Sequence, residues 1–438
     1  MNNCNIKKKA SIYTLGCKVN QYESRAIEEE FLRNGFEIVP YGEKADITVI
    51  NTCTVTAEAD RKARQIIRRS HNQDPETKII VCGCYSERVP LAVSGLPGVR
   101  YVFGNANKLE VVKKAESLLD GNSDDVITEK GIRDFPCYGF EDMSVSGFER
   151  TRAYIKIEDG CENRCAYCII PEVRGKVRSK NQASVIDEAR KLAREGFREI
   201  VLTGIEICSY GKDTGGPGLC SLLSELDGIE GIERIRLGSL DPSFLNEKNV
   251  DFLSGLRHLA PHFHLSVQSG SDRILALMRR RYNSGMIKAS VDRIKGSIRD
   301  ATFTSDIIVG FPGETEDDFI CSDELLKYAG MLYTHIFIYS RRPGTEADLM
   351  DGQIPPEIKT DRSKRLENTR RETSSSVKRG FIGRTMSVLA ETFENGYLIG
   401  HTSNYLEVSF PSEQDGRGKS FDVTLERLDG DVITGHAL

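Results

Sequence analysis

AYIKIEDGCENRCAYC, residues 153–168, reads as a buried strand running straight into a loop that carries three cysteines. Five further stretches repeat the strand: EIVLTG (199–204), RIRLGS (234–239), HFHLSVQ (262–268), TSDIIVGF (304–311) and HIFIYS (335–340). Helix-period segments follow most of them, such as VIDEARKLAREG (185–196) and EDDFICSDELLKYAG (316–330). Six strand-then-helix units fit an incomplete TIM-like (β/α)6 barrel, with its chemistry at the C-terminal ends of the strands. A doubly wound sheet is the competing architecture.

Working outward, SIYTLG (11–16), DITVIN (46–51) and KIIVCG (78–83) read as buried strands alternating with helical stretches at 21–34 and 57–71. That alternation implies a parallel α/β domain over residues 8–125. A polar stretch, DGNSDD (120–125), opens a poorly patterned connection to the barrel, assigned to 150–356. Residues 357–380 are highly charged and helical in pattern. The tail, 381–438, reads as five short strands, which imply a small antiparallel barrel of a nucleic-acid-binding kind.

Composition excludes several classes. No apolar run approaches the roughly 18 residues of a membrane span, and MNNCNIKKKAS has no apolar stretch behind its lysines, so it does not read as a signal peptide. The expected location is the cytosol, where twelve cysteines point to metal ligation rather than disulfides. A net charge of −5 argues against a generally basic coat. Tryptophan is absent, which leaves Tyr, Phe, His and Arg for base stacking.

Cys161, Cys165 and Cys168 can wrap one metal centre from a single loop. Three thiolates on a four-iron cluster leave one iron open. An amine and a carboxylate can chelate that iron, as S-adenosylmethionine does in radical enzymes. A closed structural zinc site would need a fourth ligand, and none stands at a regular spacing. Tyr167 is placed to pack on an adenine or simply to pack the loop. Gly204, Glu206, Ser239, Asp241, Gln268, Ser269 and Asp306 fall at or near strand ends and are the candidate cofactor-pocket residues, Gly204, Glu206, Ser239, Gln268 and Asp306 foremost.

Cys17, Cys53 and Cys84 sit just past the three strands of the first domain. Parallel strands put those ends on one sheet edge, so the three could converge on a second cluster. Cys82, two residues earlier within its strand, should face the same way as Cys84. Cys84 is preferred because it lies at the strand end. Cys4, Cys137, Cys208, Cys220 and Cys321 lack a partner pattern and read as core or loop thiols.

With these motifs placed, the chain resembles the methylthiotransferases, radical enzymes that insert a methylthio group into an unactivated C–H bond. The resemblance covers nearly the whole length: LGC…NTC…GC, then CxxxCxxC, then a C-terminal TRAM domain. TLGCKVNQYES, NTCTVTAEADRKAR, SVQSGSDRILALMRRRY and YSRRPGTEA are most similar to the branch that acts on transfer RNA bearing N6-threonylcarbamoyladenosine beside the anticodon. The resemblance implies two [4Fe–4S] clusters. The one on Cys161, Cys165 and Cys168 would generate a radical that removes hydrogen from carbon 2 of the adenine. The one on Cys17, Cys53 and Cys84 would supply sulfur, and a second S-adenosylmethionine the methyl group. Ser271 stands where relatives often carry cysteine, and EICSYG and PEVRGKVRS depart from common forms, which bears on the substrate rather than on the chemistry.

The resemblance further implies a tRNA anticodon stem-loop as partner and an electron donor such as flavodoxin or ferredoxin; the chain is expected to be monomeric. Basic segments at 359–379, 61–69 (RKARQIIRR) and 174–180 (RGKVRSK) are candidate phosphate tracks. The tail itself has four basic residues against nine acidic ones, so it should bind RNA through a local face bearing Tyr397, His401 or Tyr405, or shield the active site. The alternatives are the same chemistry on isopentenyladenosine or on a ribosomal-protein aspartate, and a non-catalytic iron–sulfur RNA-binding protein.

Overall fold

A computed structural model describes residues 7–121, 125–129, 131–134, 139–148 and 151–438. Cys4 and Cys137, and part of the 120–125 stretch, lie outside the described residues.

The first domain is a six-stranded parallel sheet built from Lys9–Thr14 (β1), Glu37–Ile38 (β2), Ile47–Thr52 (β3), Lys78–Gly83 (β4), Val99–Val102 (β5) and Ile127–Thr128 (β6), in the order β2-β1-β3-β4-β5-β6. Its central strand β3 is buried at every position, as an apolar run covered on both faces must be. The helix Lys18–Arg33 (α1) lays Ile27 and Phe31 on one face, against Val49 and Ile80. The helix Ala57–Gln73 (α2) covers the other with Ala63 and Ile67. Thr56 caps α2 by accepting from Ala59 N–H at 3.1 Å, one of the orphan donors of its first turn.

In the second domain the strands Arg152–Lys156, Glu199–Thr203 and Arg234–Leu237 form one parallel sheet, and Ser239–Leu240, His262–Gln268, Thr302–Val309 and Met331–Ile338 a second. Chain 234–240, interrupted only at Gly238, belongs to both and joins them into a curved six-stranded wall. The wall stays open between its first and last strands. The incomplete barrel is thereby observed and the doubly wound alternative set aside. The last strand begins at Met331, earlier than the HIFIYS reading. Gly330 ends the preceding helix in the left-handed region (φ +65°), and the chain turns directly into the strand.

Five strands between Thr385 and Ala437 close into a small barrel around Val388, Leu398, Val408, Val423 and Ile433, antiparallel at every pairing except that of Glu407–Pro411 with Val432–Ala437, which is parallel. This barrel plugs the base of the larger one, at the N-terminal ends of the parallel strands. Arg234 donates to the His401 and Ser387 carbonyls, both at 2.9 Å, and Arg152 pairs with Glu391 at 2.9 Å. Tyr405, with φ +75°, lies 4.5 Å ring to ring from His262. The long helix Pro356–Arg379 runs between the two barrels.

The first domain packs against the first strand of the open barrel through α1. Glu23, 1% exposed, accepts from Lys156 at 2.7 Å and Arg174 at 3.0 Å and also pairs with Lys108. Arg174 continues to Asp159 at 3.0 Å and to the Asn20 side-chain oxygen at 2.6 Å. Burial opposes the charge on Glu23, yet the three cations outweigh it and hold its carboxyl well below the usual range.

Candidate active site

At the barrel mouth, a short antiparallel pairing of Glu158–Asp159 with Arg178–Ser179 pinches off the cysteine loop. Gly160 makes the pinch possible: with φ +85°, a Cβ there would lie 2.0 Å from the Lys176 carbonyl oxygen. Cys161 N–H donates to Gly175 O and Cys168 N–H to Cys165 O, each at 3.0 Å, coiling the loop so that the three thiols line one cavity. That cavity holds about 260 Å³ and is also lined by Tyr167, Glu206, Gln268 and Asp306. Tyr167 meets Phe311 edge-on. Asn163 donates to Glu206 at 3.2 Å, while Glu206 Oε1 is buried without a partner and burial raises its carboxyl. Gln268 is in the left-handed region (φ +65°) at its strand end. Gly204 and Ser239 stand just outside the lining; a Cβ at Gly204 would lie 2.7 Å from Glu158 Oε2.

The second set is assembled from three loops. Cys17 caps α1, Cys53 follows β3, and Cys84 opens a short helix, Cys84–Arg88, directly after β4. Gly16, at φ +111°, brings the first loop so close that a Cβ would sit 2.8 Å from Cys53 Cβ and 3.2 Å from its sulfur. Cys84 Sγ lies 3.5 Å from Asn105 Nδ2 and packs on Ile169 and Val173, the residues that follow Cys168. Val55 and Thr56, just beyond Cys53, line the barrel-mouth cavity itself. The first-domain set thus borders the barrel-mouth cavity, whose own lining thiols are Cys161, Cys165 and Cys168.

Three thiols in each set are the donor chemistry of an iron–sulfur cluster, while among the described residues no group of three Cys, His, Asp or Glu side chains is placed to hold a single metal ion. Burial and the neighbouring Cys84 sulfur push the Cys53 thiol up to about 12, and burial does the same for Cys161 and Cys168. Thiols in such surroundings ionise when a cationic centre takes them as ligands. Arg174 lies within electrostatic range of Cys17 and Cys84, and its Nε is buried without a partner. Arg280 donates to Cys165 Sγ at 3.2 Å and is backed by Asp241 at 3.3 Å.

Three expectations are corrected. Cys82 does not share the direction of Cys84: its side chain is buried in the sheet core with Val49, Ile80 and Phe103. Alternation fails because Gly83 (φ +99°) ends the strand and Cys84 is already helical. The segment 174–180 is no phosphate track, since Arg174, Arg178 and Lys180 are buried in ion pairs and hydrogen bonds at the domain boundary. His401 and Tyr405 are unavailable for base stacking, because they are turned into the base of the large barrel; Tyr397 is exposed. Ser271 caps the helix Asp272–Leu277 and donates to Asp318 at 2.6 Å.

Sequence reasoning missed Arg280, Arg174 in its present role, and the polar barrel interior. His264 bridges Thr304 at 2.9 Å and Asp306 at 3.2 Å, and His262 reaches Thr304 at 3.0 Å. Below them Arg236 donates to Glu199 at 2.6 Å and stacks over the Tyr405 ring. The signal was present in HFHLSVQ and RIRL, whose polar residues recur at every second position and so share the inner face.

Residues 155–326 match the Radical SAM superfamily, and residues 9–104 match "Uncharacterized protein family UPF0004". A solved radical S-adenosylmethionine methyltransferase from Kitasatospora setae, TsrM, superposes with a TM-score of 0.57 at 15% identity, covering 78% of this chain and 77% of that one. Fold, cysteine loop and superfamily match define a radical S-adenosylmethionine enzyme, a class that uses a [4Fe–4S] cluster. The threonylcarbamoyladenosine tRNA methylthiotransferases of Bacillus subtilis and Thermotoga maritima are 36% and 37% identical to it; each alignment spans 93% of this chain, and 92% and 93% of the relatives. A tRNA-2-methylthio-N(6)-dimethylallyladenosine synthase of a Hydrogenobaculum species is 33% identical over 97% of this chain and 98% of its own. The chain belongs to the methylthiotransferase family.

Proposed function

We propose that this protein adds a methylthio group to carbon 2 of N6-threonylcarbamoyladenosine beside the anticodon of tRNA. The reading is carried by the approach of the two cysteine triads: Cys84 packs on Ile169 and Val173 beside the barrel loop, and Val55 and Thr56, just past Cys53, line the cavity that holds Cys161, Cys165 and Cys168, as hydrogen removal and sulfur delivery at one carbon require. Cys161, Cys165 and Cys168 would hold one [4Fe–4S] cluster, and Cys17, Cys53 and Cys84 the other. Bound there, the clusters and S-adenosylmethionine supply a radical, a sulfur atom and a methyl group.

The chain's own residues bind and orient. Glu206, with its free buried oxygen, takes the amino group of S-adenosylmethionine. Tyr167 flanks the adenine, and Gln268 and Asp306 close the cavity wall. Arg280 neutralises charge at Cys165, and Arg174 does so at the first-domain triad. The apolar residues of the mouth, Ile205, Ile308 and Phe337, exclude water from a reactive centre. A one-electron donor of the flavodoxin or ferredoxin type would feed it. Among the described residues, no helix is long and apolar enough to cross a membrane; a cytosolic site of action accords with a tRNA substrate.

The threonylcarbamoyl substrate is supported by the 36% and 37% identity to the Bacillus subtilis and Thermotoga maritima relatives bearing that name, against 33% to the Hydrogenobaculum dimethylallyladenosine synthase. Nucleoside mass spectrometry of tRNA from a strain lacking this gene and any paralogue tests it. The expected result is loss of 2-methylthio-N6-threonylcarbamoyladenosine, restored by complementation; an unchanged level of that nucleoside would overturn the reading.

The ligand choice has its own test. Cys84→Ser is expected to lower iron and sulfide by one cluster's share after anaerobic reconstitution. Cys82→Ser should keep the full complement while losing about 1–3 kcal/mol of stability, because it puts a hydroxyl into an apolar core. The reverse pattern of iron content would exchange their roles.

A further inference from the structure

Beneath the cysteine cavity, the floor of the barrel lumen carries more positive charge than its own carboxylates neutralise. Arg234 and Arg236 share Glu199, at 3.6 and 2.6 Å, and Arg152 takes Glu391. Asp306, nearer the mouth, is engaged by His264. Arg236 is 1% exposed, yet neither of its terminal nitrogens has a hydrogen-bond partner. Lys18, the residue after Cys17, adds a fourth cation. It is solvent-accessible and lies within electrostatic range of Arg152, Arg236, Glu199, Tyr405, His262 and His335. Its ammonium makes no ion pair or hydrogen bond among the described residues. Three guanidiniums and an ammonium thus face two carboxylates in a confined space. Such a field favours an anion entering from the mouth.

The proposed substrate brings one. In adenine, carbon 2 and carbon 6, which carries N6, flank the same ring nitrogen, N1, so a base that turns carbon 2 toward Cys17 and Cys53 directs its N6 substituent into the same region. A threonylcarbamoyl group ends in a carboxylate; a dimethylallyl group ends in hydrocarbon. We propose that Lys18 is a specificity residue that binds the threonyl carboxylate of the substrate base, with Arg152 and Arg236, which lie against Tyr405, supplying further positive charge. This inference rests on the substrate reading given above and names the group that enforces it.

The test uses the full-length, anaerobically reconstituted enzyme and synthetic anticodon stem-loops that differ only at the target base. The loop with N6-threonylcarbamoyladenosine should bind wild-type protein on the order of tenfold or more tighter than loops with adenosine or dimethylallyladenosine, as a charge-assisted contact implies. Lys18→Met should bring that ratio to about one, and Lys18→Arg should retain most of it. Iron content and thermal unfolding establish that each variant is folded. Should Lys18→Met fail to fold, the charge is removed from the other side: a loop whose threonyl carboxylate is a methyl ester should lose the same factor on wild-type protein. A full preference kept by Lys18→Met, or by the ester, overturns the role of Lys18 while leaving the substrate reading intact. No preference in the wild type overturns the substrate reading and the inference together.

Discussion

Cys161→Ala is expected to abolish release of 5′-deoxyadenosine from S-adenosylmethionine, whereas Cys53→Ala should spare that release and block methylthio insertion. The two thiols lie on different elements: Cys161 on the barrel loop, Cys53 at the end of β3. The barrel triad is closed by local backbone bonds, Cys161 to Gly175 and Cys168 to Cys165, which owe nothing to the first domain. Losing Cys53 should therefore leave the barrel centre assembled. The measurement is chromatography of deoxyadenosine alongside mass spectrometry of the tRNA nucleosides, with iron content per chain as the check on loading. If Cys53→Ala lost both activities while keeping the barrel cluster, the division of labour between the triads would be wrong.

The second large effect is on stability. Glu23→Ala should cost roughly 3–5 kcal/mol, because it leaves Lys108, Lys156 and Arg174 buried without the carboxylate that collects them. Asp159 still reaches Lys156 and Arg174, so the loss falls on Lys108 and on the link between α1 and the barrel. A lower midpoint in urea unfolding is the readout, and a change under about 1 kcal/mol would mean the cluster relaxes or hydrates freely. The pH dependence has a definite sign. A carboxyl held below its unfolded value contributes stability present above the ordinary glutamate range and lost as pH falls through the folded value. Wild type should thus lose this contribution in acid, and Glu23→Gln should show a flatter acid limb.

How much of this was legible in the sequence depends on whether the deciding contact is local. Cys161, Cys165 and Cys168 share one loop, so their spacing alone announces a common centre. Cys17, Cys53 and Cys84 are far apart in sequence, yet parallel strands bring their C-terminal ends to one edge, and topology made that convergence readable. Cys82 deceived because one glycine, Gly83, breaks the two-residue alternation. The basic run 174–180 deceived for another reason. A string of Arg and Lys specifies charge and says nothing of Glu23, Asp159 and Glu188, which come from elsewhere and bury it. Lys18 was invisible for the same cause: it makes no ion pair among the described residues, a property that exists only once the nearby Glu199 is taken by Arg236 and Arg234.

The way Tyr405 and its flanking turn are wedged into the foot of the large barrel has a mechanical consequence. A C-terminal module anchored by Arg234, Arg152 and Thr302 has no slack to swing like a tethered arm. Any RNA stem it touches is gripped in a jig whose spacing from the reacting carbon is set before the RNA arrives. Registration of the anticodon loop would then be a matter of fit to a rigid gauge rather than of closure around the guest.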